Sequence, residues 1–221
     1  MPDPTAPPIG PTKDVTPPAT GWRARTPNAL TVARLVLTAV FVGVLSNAEA
    51  AGSGWSLGLL LSVVLFVVAA VTDAADGYLA RKWNAVSRFG RVVDPFADKL
   101  LILSAFVVLA GPGLAAMTGV RPWMVVVILA RELLVTTIRG VYEGEGVDFS
   151  ASRAGKWKMI LQSVAVPVAL LDAARPHEAP GPGIVTVVLV WLTVVVTVWS
   201  AIPYIARAAR THHQDSVSPA E

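Results

Sequence analysis

Apolar and polar residues follow one another in long blocks along this chain. Six apolar segments, each close to the roughly 20 residues that a helix needs to cross a bilayer, cover residues 29–46, 55–72, 97–117, 123–141, 159–173 and 183–206. The fifth segment is the shortest, and Pro167 inside it is compatible with a membrane helix because neighbouring helices can satisfy the freed carbonyl. The pattern predicts an all-α integral membrane protein with six transmembrane helices.

The two ends of the chain differ from these blocks. Residues 1–26 are rich in proline and threonine and offer almost no face that could pack, which is typical of a disordered tail. Residues 208–221 are also mostly polar. We therefore expect one membrane domain over residues 27–207, with a disordered tail on either side.

Composition and charge agree with this assignment. Hydrophobic residues make up 54% of the 221 positions and charged residues only 15%, which is unlike an ordinary soluble domain. Cysteine is absent, so the chain has neither disulfides nor a thiolate metal site. The formal net charge is only +3. We expect the basic residues to face the lipid bilayer, and we do not expect a nucleic-acid partner.

Basic residues also predict the orientation. Both tails and the even-numbered loops contain Lys13, Arg23, Arg25, Arg81, Lys82, Arg88, Arg91, Arg139, Arg153, Lys156, Lys158, Arg207 and Arg210. The odd-numbered loops contain only Arg121 and Arg175. By the positive-inside rule, both termini and the loop after the second helix face the cytoplasm, so we expect a multi-pass protein of the cytoplasmic membrane.

Four aspartates lie at the cytoplasmic ends of the second and third apolar segments: Asp73, Asp76, Asp94 and Asp98. On extended helices, the first two share one face, and the last two form an i, i+4 ridge, so the four carboxylates can converge. Their mutual repulsion would be strong in a medium less polar than water. Divalent cations bound through the carboxylate oxygens commonly offset such repulsion, and two of them would balance the charge of four carboxylates.

A simpler interpretation is that each aspartate caps a helix or pairs with a nearby basic residue. The basic residues close in sequence are Arg81, Lys82, Arg88, Arg91 and Lys99. This interpretation is reasonable for one aspartate, but it does not explain the combined spacing. The pattern Asp-x-x-Asp-Gly-x-x-Ala-Arg, then eight residues, then Gly-x-x-x-Asp-x-x-x-Asp fixes eight positions over residues 73–98.

The stretch DAADGYLARKWNAVSRFGRVVDPFAD resembles, without a mismatch, the signature of the CDP-alcohol phosphotransferase family. The resemblance implies transfer of a substituted phosphoryl group from a CDP-linked donor to an alcohol, with release of CMP, in a polar active-site cavity that faces the cytoplasm. It also implies two divalent cations, Mg²⁺ or Mn²⁺, at the four aspartates, with Asp98 as general base, and a homodimer. Gly77, Arg81 and Ser87 are then expected to contact the CDP group.

The start of the first helix carries a second resemblance. In PNALTVARL, Asn28, Thr31 and Arg34 are spaced by three, as in the family's N-terminal element, whose polar groups face the nucleotide site. The resemblance implies that Asn28 and Thr31 bind the CDP donor. The alternative is a capped helix start followed by an interfacial arginine.

Two further stretches concern the acceptor alcohol. ARELLVTTIRG, residues 130–140, and AGKWKMILQ, residues 154–162, resemble the paired elements of phosphatidylglycerophosphate synthases, although Met159 stands where those enzymes usually have threonine. The resemblance implies CDP-diacylglycerol as donor and sn-glycerol 3-phosphate as acceptor. The candidate ligands of the acceptor phosphate are Arg131, Arg139, Lys156 and Lys158.

Other interpretations remain for these residues and for the reaction. Arg131 and Glu132 can form a structural ion pair, and the lysines can be cytoplasmic anchors. A sister enzyme that uses inositol phosphate, or phosphatidylglycerol as in a cardiolipin synthase, would share the core motif. A transporter is a remote alternative, because the carboxylates cluster at one face rather than spanning the bilayer.

Overall fold

The computed structural model describes residues 22–51, 53–82, 88–144, 153–176 and 181–217, and over these ranges the chain is helical without any β-strand. The helices are α1 (Trp22–Ser46), α2 (Leu57–Lys82), α3 (Arg88–Leu109), α4 (Ala115–Thr118), α5 (Pro122–Gly144), α6 (Arg153–Ala174), α7 (Ile184–Trp199) and α8 (Ile202–Val217). The all-α prediction is confirmed. Each predicted apolar segment corresponds to at least one of these helices.

Two helical stretches within the described residues are long and apolar enough to cross a membrane, Ala154–Ala174 and Ile184–Ala209. Shorter apolar stretches cover Thr31–Ser46, Leu57–Asp73 and Lys99–Leu109. Many of the large apolar side chains on these helices are exposed, Val64 and Val195 among them. This arrangement is consistent with a membrane protein whose outer surface contacts lipid.

Two predicted helices are interrupted. The prediction of one continuous helix over residues 97–117 was wrong, because α3 ends at Leu109 and a turn through Gly111, Pro112 and Gly113 leads into the single turn of α4. Glycine and proline both disfavour continuation of a helix. The last segment likewise divides at Ser200 and Ala201 into α7 and α8, and Pro203 occupies the first turn of α8, where a missing N–H costs little.

The helices also extend past the predicted domain boundaries. Helix α1 begins at Trp22 and α8 continues to Val217, so residues 22–26 and 208–217 are helical. Residues 22–26 contain neither glycine nor proline, and Ala208, Ala209 and Arg210 have high helix propensity. Residues 1–21 and 218–221, the rest of the predicted tails, lie outside the described residues.

Helices α1 and α2 pack along an antiparallel interface that is half polar. The buried face of α1 carries Thr31, Arg34 and Thr38 in its first half, then Phe41 and Leu45. These positions recur every three or four residues, as one face of a helix requires. On α2 the buried face runs through Leu59, Ser62, Phe66 and Ala69, and the rings of Phe41 and Phe66 lie 5.7 Å apart.

Helix α6 lies at the centre of the bundle, between α2 and α7 and against α3 and α4. Ala165, Val166, Ala169 and Leu170 are buried there, and α6 continues through Pro167. Small alanines allow the neighbouring helices to approach closely, as is common in membrane bundles.

The C-terminal end of α6 is bound to the α1–α2 connection by two hydrogen bonds. The N–H of Ala51 donates to the carbonyl of Ala173 (3.1 Å), and the N–H of Ser56 donates to that of Ala174 (2.9 Å). These bonds satisfy carbonyls that the end of a helix leaves without intrahelical partners. They hold the α1–α2 connection at this end of the bundle, opposite to the end where the polar residues described next are found.

Candidate functional site

A cavity of about 500 Å³ opens between α3, α5, α6 and α8. Apolar side chains supply much of its wall, including Ile102, Leu103, Ile128, Val135 and Met159. Five basic residues of the described part of the chain line it as well: Lys99, Arg131, Arg139, Lys156 and Lys158. Glu132 is the one carboxylate among the described residues that line it, so the wall carries an excess of positive charge.

Glu132 lies between two of these cations. Its Oε1 accepts from the ammonium of Lys158 on α6 and lies 3.4 Å from Nη1 of Arg131. All three side chains are more than nine-tenths buried. The ion pair considered from the sequence for Arg131 and Glu132 is therefore present, and it extends to Lys158. Burial without this carboxylate would leave two like charges in an apolar bundle.

Arg131 is directed towards the junction between α7 and α8. Its Nε donates to Oγ of Ser200 at 3.0 Å, and its Nη2 donates to the carbonyl of Ser200 at 3.4 Å. The guanidinium carbon also lies 5.9 Å from the centre of the Tyr204 ring, a cation–π distance. A continuous helix would have bonded the Ser200 carbonyl to the N–H of Tyr204, which here donates to Ala201 instead.

Lys99 reaches the same cavity from α3. Its Nζ donates to Oγ1 of Thr136 on α5, and the Thr136 hydroxyl donates to the backbone carbonyl of Glu132 at 2.6 Å. Lys99 of α3 and Lys158 of α6 are therefore both connected to the turn of α5 that begins at Glu132.

Arg139 and Lys156 complete the basic lining. Arg139 lies two turns beyond Glu132 on α5 and is half-buried, whereas Lys156 at the start of α6 is exposed. Met159 also lines the cavity and is 47% exposed. The structure thus brings together the four residues that the sequence suggested as ligands of the acceptor phosphate.

Asp73 is the one member of the aspartate set whose side chain is described. Its Oδ1 lies 2.5 Å from Nη1 of Arg34 on α1. The side chain of Asp73 is 33% exposed. Arg34 is 1% exposed in this contact. Asp76 and Gly77 follow on α2, and Asp94 and Asp98 lie on α3, but their side chains are outside the described residues. The described part of the chain contains no cluster of three or more metal-ligating His, Cys, Asp or Glu side chains.

The expected donor-binding residues are described only in part. Thr31 is 2% exposed and shares the buried face of Arg34 on α1. Asn28 and Arg81 lie on α1 and α2, with side chains outside the described residues, and Ser87 falls outside them entirely.

The cavity residues that were not selected from the sequence as site residues include Lys99, Thr136 and Tyr204. Lys99 had a signal, since a lysine inside an apolar segment directly after Asp98 is costly unless it has a partner. No signal in the sequence pointed to Tyr204, because its position in the cavity depends on the direction of α8 after Ser200.

Comparison with known proteins places these features in a family. A model of the CDP-alcohol phosphatidyltransferase family matches residues 24–199. This range covers most of the chain and includes all four aspartates and all five basic residues of the cavity.

Curated proteins from several bacteria are similar over most of their length. The chain is 35% identical over 187 residues to the CDP-diacylglycerol–glycerol-3-phosphate 3-phosphatidyltransferase of Bacillus subtilis (strain 168), covering 82% of this chain and 93% of that protein. It is 32% identical over 193 residues to the protein of the same name from Rickettsia typhi (strain Wilmington), covering 84% and 97%. A Mycobacterium tuberculosis (strain H37Rv) protein named "Probable phosphatidylglycerophosphate synthase" is 36% identical over 183 residues, covering 83% and 81%.

Proposed function

The chain belongs to the CDP-alcohol phosphatidyltransferase family, and we propose that it transfers the phosphatidyl group of CDP-diacylglycerol to sn-glycerol 3-phosphate. The products are phosphatidylglycerophosphate and CMP. The observation that carries the acceptor assignment is the cavity, in which basic side chains from three helices surround one space. A dianionic phosphate needs several cations, and an apolar wall strengthens their attraction by excluding water.

Within this cavity, the basic residues differ in what they can do for the acceptor. Arg139 and Lys156 are more accessible than Lys158, which is held by Glu132. We assign all three to the acceptor phosphate, with Lys158 held in place before the substrate arrives. Arg131 is also in the cavity wall, but its guanidinium is engaged by Ser200, so its contribution is a long-range positive charge and a fixed wall.

The four aspartates are the proposed ligands of two divalent cations, Mg²⁺ or Mn²⁺. Members of this family generally depend on divalent cations, and carboxylate oxygens are the donors that such hard ions prefer. The partly exposed carboxylate of Asp73 fits this role, because Arg34 engages it from the buried side. When bound, the cations would neutralise charge on the leaving CMP and align the displacement.

Transfer forms a bond between the acceptor hydroxyl oxygen and the phosphatidyl phosphorus and breaks the phosphoanhydride bond to CMP. We propose Asp98 as the group that takes the hydroxyl proton, because an alcohol is a poor nucleophile at neutral pH. Position 98 precedes Ile102 by four residues on α3, and Ile102 lines the cavity. One helical ridge therefore leads from the aspartates to the acceptor cavity.

The donor site and the membrane arrangement complete the proposal. Asn28, Thr31, Gly77, Arg81 and Ser87 are proposed to bind the CDP group. The domain over residues 27–207 is proposed to cross the cytoplasmic membrane six times, with both termini and the cavity facing the cytoplasm, and to form a homodimer in the lipid bilayer. The placement of basic residues at this end of the helices supports the orientation.

The decisive experiment uses purified protein in detergent with CDP-diacylglycerol and a panel of acceptors. CMP release should depend on sn-glycerol 3-phosphate, and mass spectrometry should identify phosphatidylglycerophosphate. Faster release with inositol phosphate or phosphatidylglycerol would replace the acceptor assignment, and substrate binding without any CMP release would favour transport. Activity in EDTA equal to that with added Mg²⁺ would refute the metal assignment, and Asp94→Asn should remove most of the activity.

A further inference from the structure

Among the described residues that line the cavity, Lys99 is the one basic residue on the helix that carries Asp94 and Asp98. The other four basic residues come from α5 and α6. Ile102 and Leu103, one turn after Lys99, also line the cavity, so this face of α3 forms its wall. Lys99 therefore directly follows the proposed general base in the sequence and lines the same cavity as the proposed phosphate ligands.

The hydrogen bonds around Thr136 determine how Lys99 is held. A hydroxyl has one proton to donate, and that of Thr136 is directed at the Glu132 carbonyl 2.6 Å away. The Thr136 oxygen therefore accepts from the Lys99 ammonium. An ammonium has three donors, and this contact takes one and fixes the direction of the side chain. Thr136 thus holds the charge of Lys99 at the cavity wall.

The electrostatics of the cluster favour an anion beside Lys99. Lys99, Arg131 and Lys158 line the same cavity, so their positive charges repel one another there. Bringing several cations together around a partly apolar cavity costs free energy, and a bound dianion would offset that cost.

We propose that Lys99 is a further acceptor-binding residue, whose ammonium contacts the phosphate of sn-glycerol 3-phosphate while Thr136 holds it in position. The proposal rests on the proposed function and deepens it, because it adds a cation from α3 to the ligands on α5 and α6.

Three variants test this role. Lys99→Met retains most of the apolar stem and removes the charge, Lys99→Arg keeps the charge, and Thr136→Val keeps the shape of the side chain without the hydroxyl. Apparent KM values for sn-glycerol 3-phosphate and for CDP-diacylglycerol are measured separately, together with kcat. Arg121→Met is the matched control, because Arg121 is exposed at the opposite end of the bundle.

Lys99→Met should raise the acceptor KM by about tenfold or more, the loss expected for one charge-assisted contact, and leave the donor KM within about twofold. Lys99→Arg should recover part of the loss, Thr136→Val should show a smaller shift in the same direction, and Arg121→Met should match the wild type. Inhibition by inorganic phosphate should weaken in Lys99→Met to the same extent as acceptor binding.

Other outcomes overturn the proposal. An unchanged acceptor KM in Lys99→Met would make Lys99 a tie between α3 and α5. A fall in kcat alone would mean that it acts through the neighbouring aspartate. If the wild type released CMP only with another acceptor, the proposed function would fail by itself. Inhibition by inorganic phosphate would then still test whether Lys99 binds phosphate. Equal inhibition of wild type and Lys99→Met would refute that role.

Discussion

Arg34 on α1 and Asp73 on α2 form an ion pair at 2.5 Å in which the arginine is 1% exposed and the aspartate keeps a third of its exposure. The pair lies two helical turns from the contact between Phe41 and Phe66, in the same antiparallel register. A single interface thus has an apolar half that stabilises the bundle and a polar half that ends in a proposed metal ligand. Arg34 orients this carboxylate from the protein side.

The asymmetry of burial predicts unequal losses of stability. Asp73→Ala removes the carboxylate that faces a fully buried guanidinium, and a loss of about 3 kcal/mol or more in the free energy of unfolding is expected. Arg34→Met leaves a carboxylate that can still reach water or a cation, so a smaller loss is expected. Thermal unfolding in detergent with EDTA compares the two, and equal destabilisation would contradict this account.

Glu132 and Lys158 provide a test of buried charge compensation. Glu132→Gln should destabilise the protein by about 3–5 kcal/mol, because it removes the carboxylate between two buried cations. The double variant Glu132→Gln with Lys158→Met should recover part of this loss, since the remaining cation keeps its contacts with Ser200. Strictly additive losses in the unfolding midpoints would show that the two side chains are not coupled.

Arg139 and Lys156 should affect the acceptor rather than the donor. Neutralising either residue, as Arg139→Gln or Lys156→Gln, should raise the apparent KM for sn-glycerol 3-phosphate by an amount equivalent to about 1.5–3 kcal/mol. The KM for CDP-diacylglycerol should change little. Unchanged acceptor kinetics in both variants, at normal expression, would return these residues to the role of cytoplasmic anchors.

Arg131 should behave differently from these two residues. Because its guanidinium is bound to Ser200 and lies over Tyr204, Arg131→Lys should lower stability and kcat more than it raises the acceptor KM. Ser200→Ala, which removes one acceptor of the same guanidinium, should change the same quantities in the same direction by a smaller amount. A large rise in the acceptor KM alone for Arg131→Lys would instead identify Arg131 as a direct phosphate ligand.

Asp172 should be important for stability at the opposite end of the bundle. Its Oδ2 accepts from the N–H of Gly183 at 2.6 Å and from Oγ1 of Thr186 at 2.7 Å, and its Oδ1 pairs with Arg175. Asp172→Ala leaves these two donors without that acceptor, at about 1–3 kcal/mol each. The matched variant Arg175→Gln should cost far less, because Arg175 is half exposed. Similar unfolding midpoints for the two variants would contradict this role.

The sequence predicted an all-helical chain, but it did not predict where every helix ends. Apolar blocks predicted the helical segments. The resemblance of two stretches to phosphatidylglycerophosphate synthases pointed to Arg131, Arg139, Lys156 and Lys158, which all line one cavity in the structure. Hydropathy did not predict the breaks after Leu109 and Trp199, because a turn within an apolar block changes the average very little. Breaker residues alone were also insufficient, since α6 continues through Pro167.

The sequence alone did not predict which side chains pair between helices. The motifs containing Arg34 and Asp73 lie in separate helices, with no sign in the sequence that the two side chains pair. Lys99 was considered only as a basic residue close in sequence to the aspartates. The tertiary structure decided that Arg34 faces Asp73, that Lys99 contacts Thr136, and that Glu132 lies between Arg131 and Lys158. Hydropathy and helical periodicity are local properties that the sequence contains by itself. Which charge compensates which depends on how the helices are rotated and aligned against one another, and only packing of the whole bundle determines that.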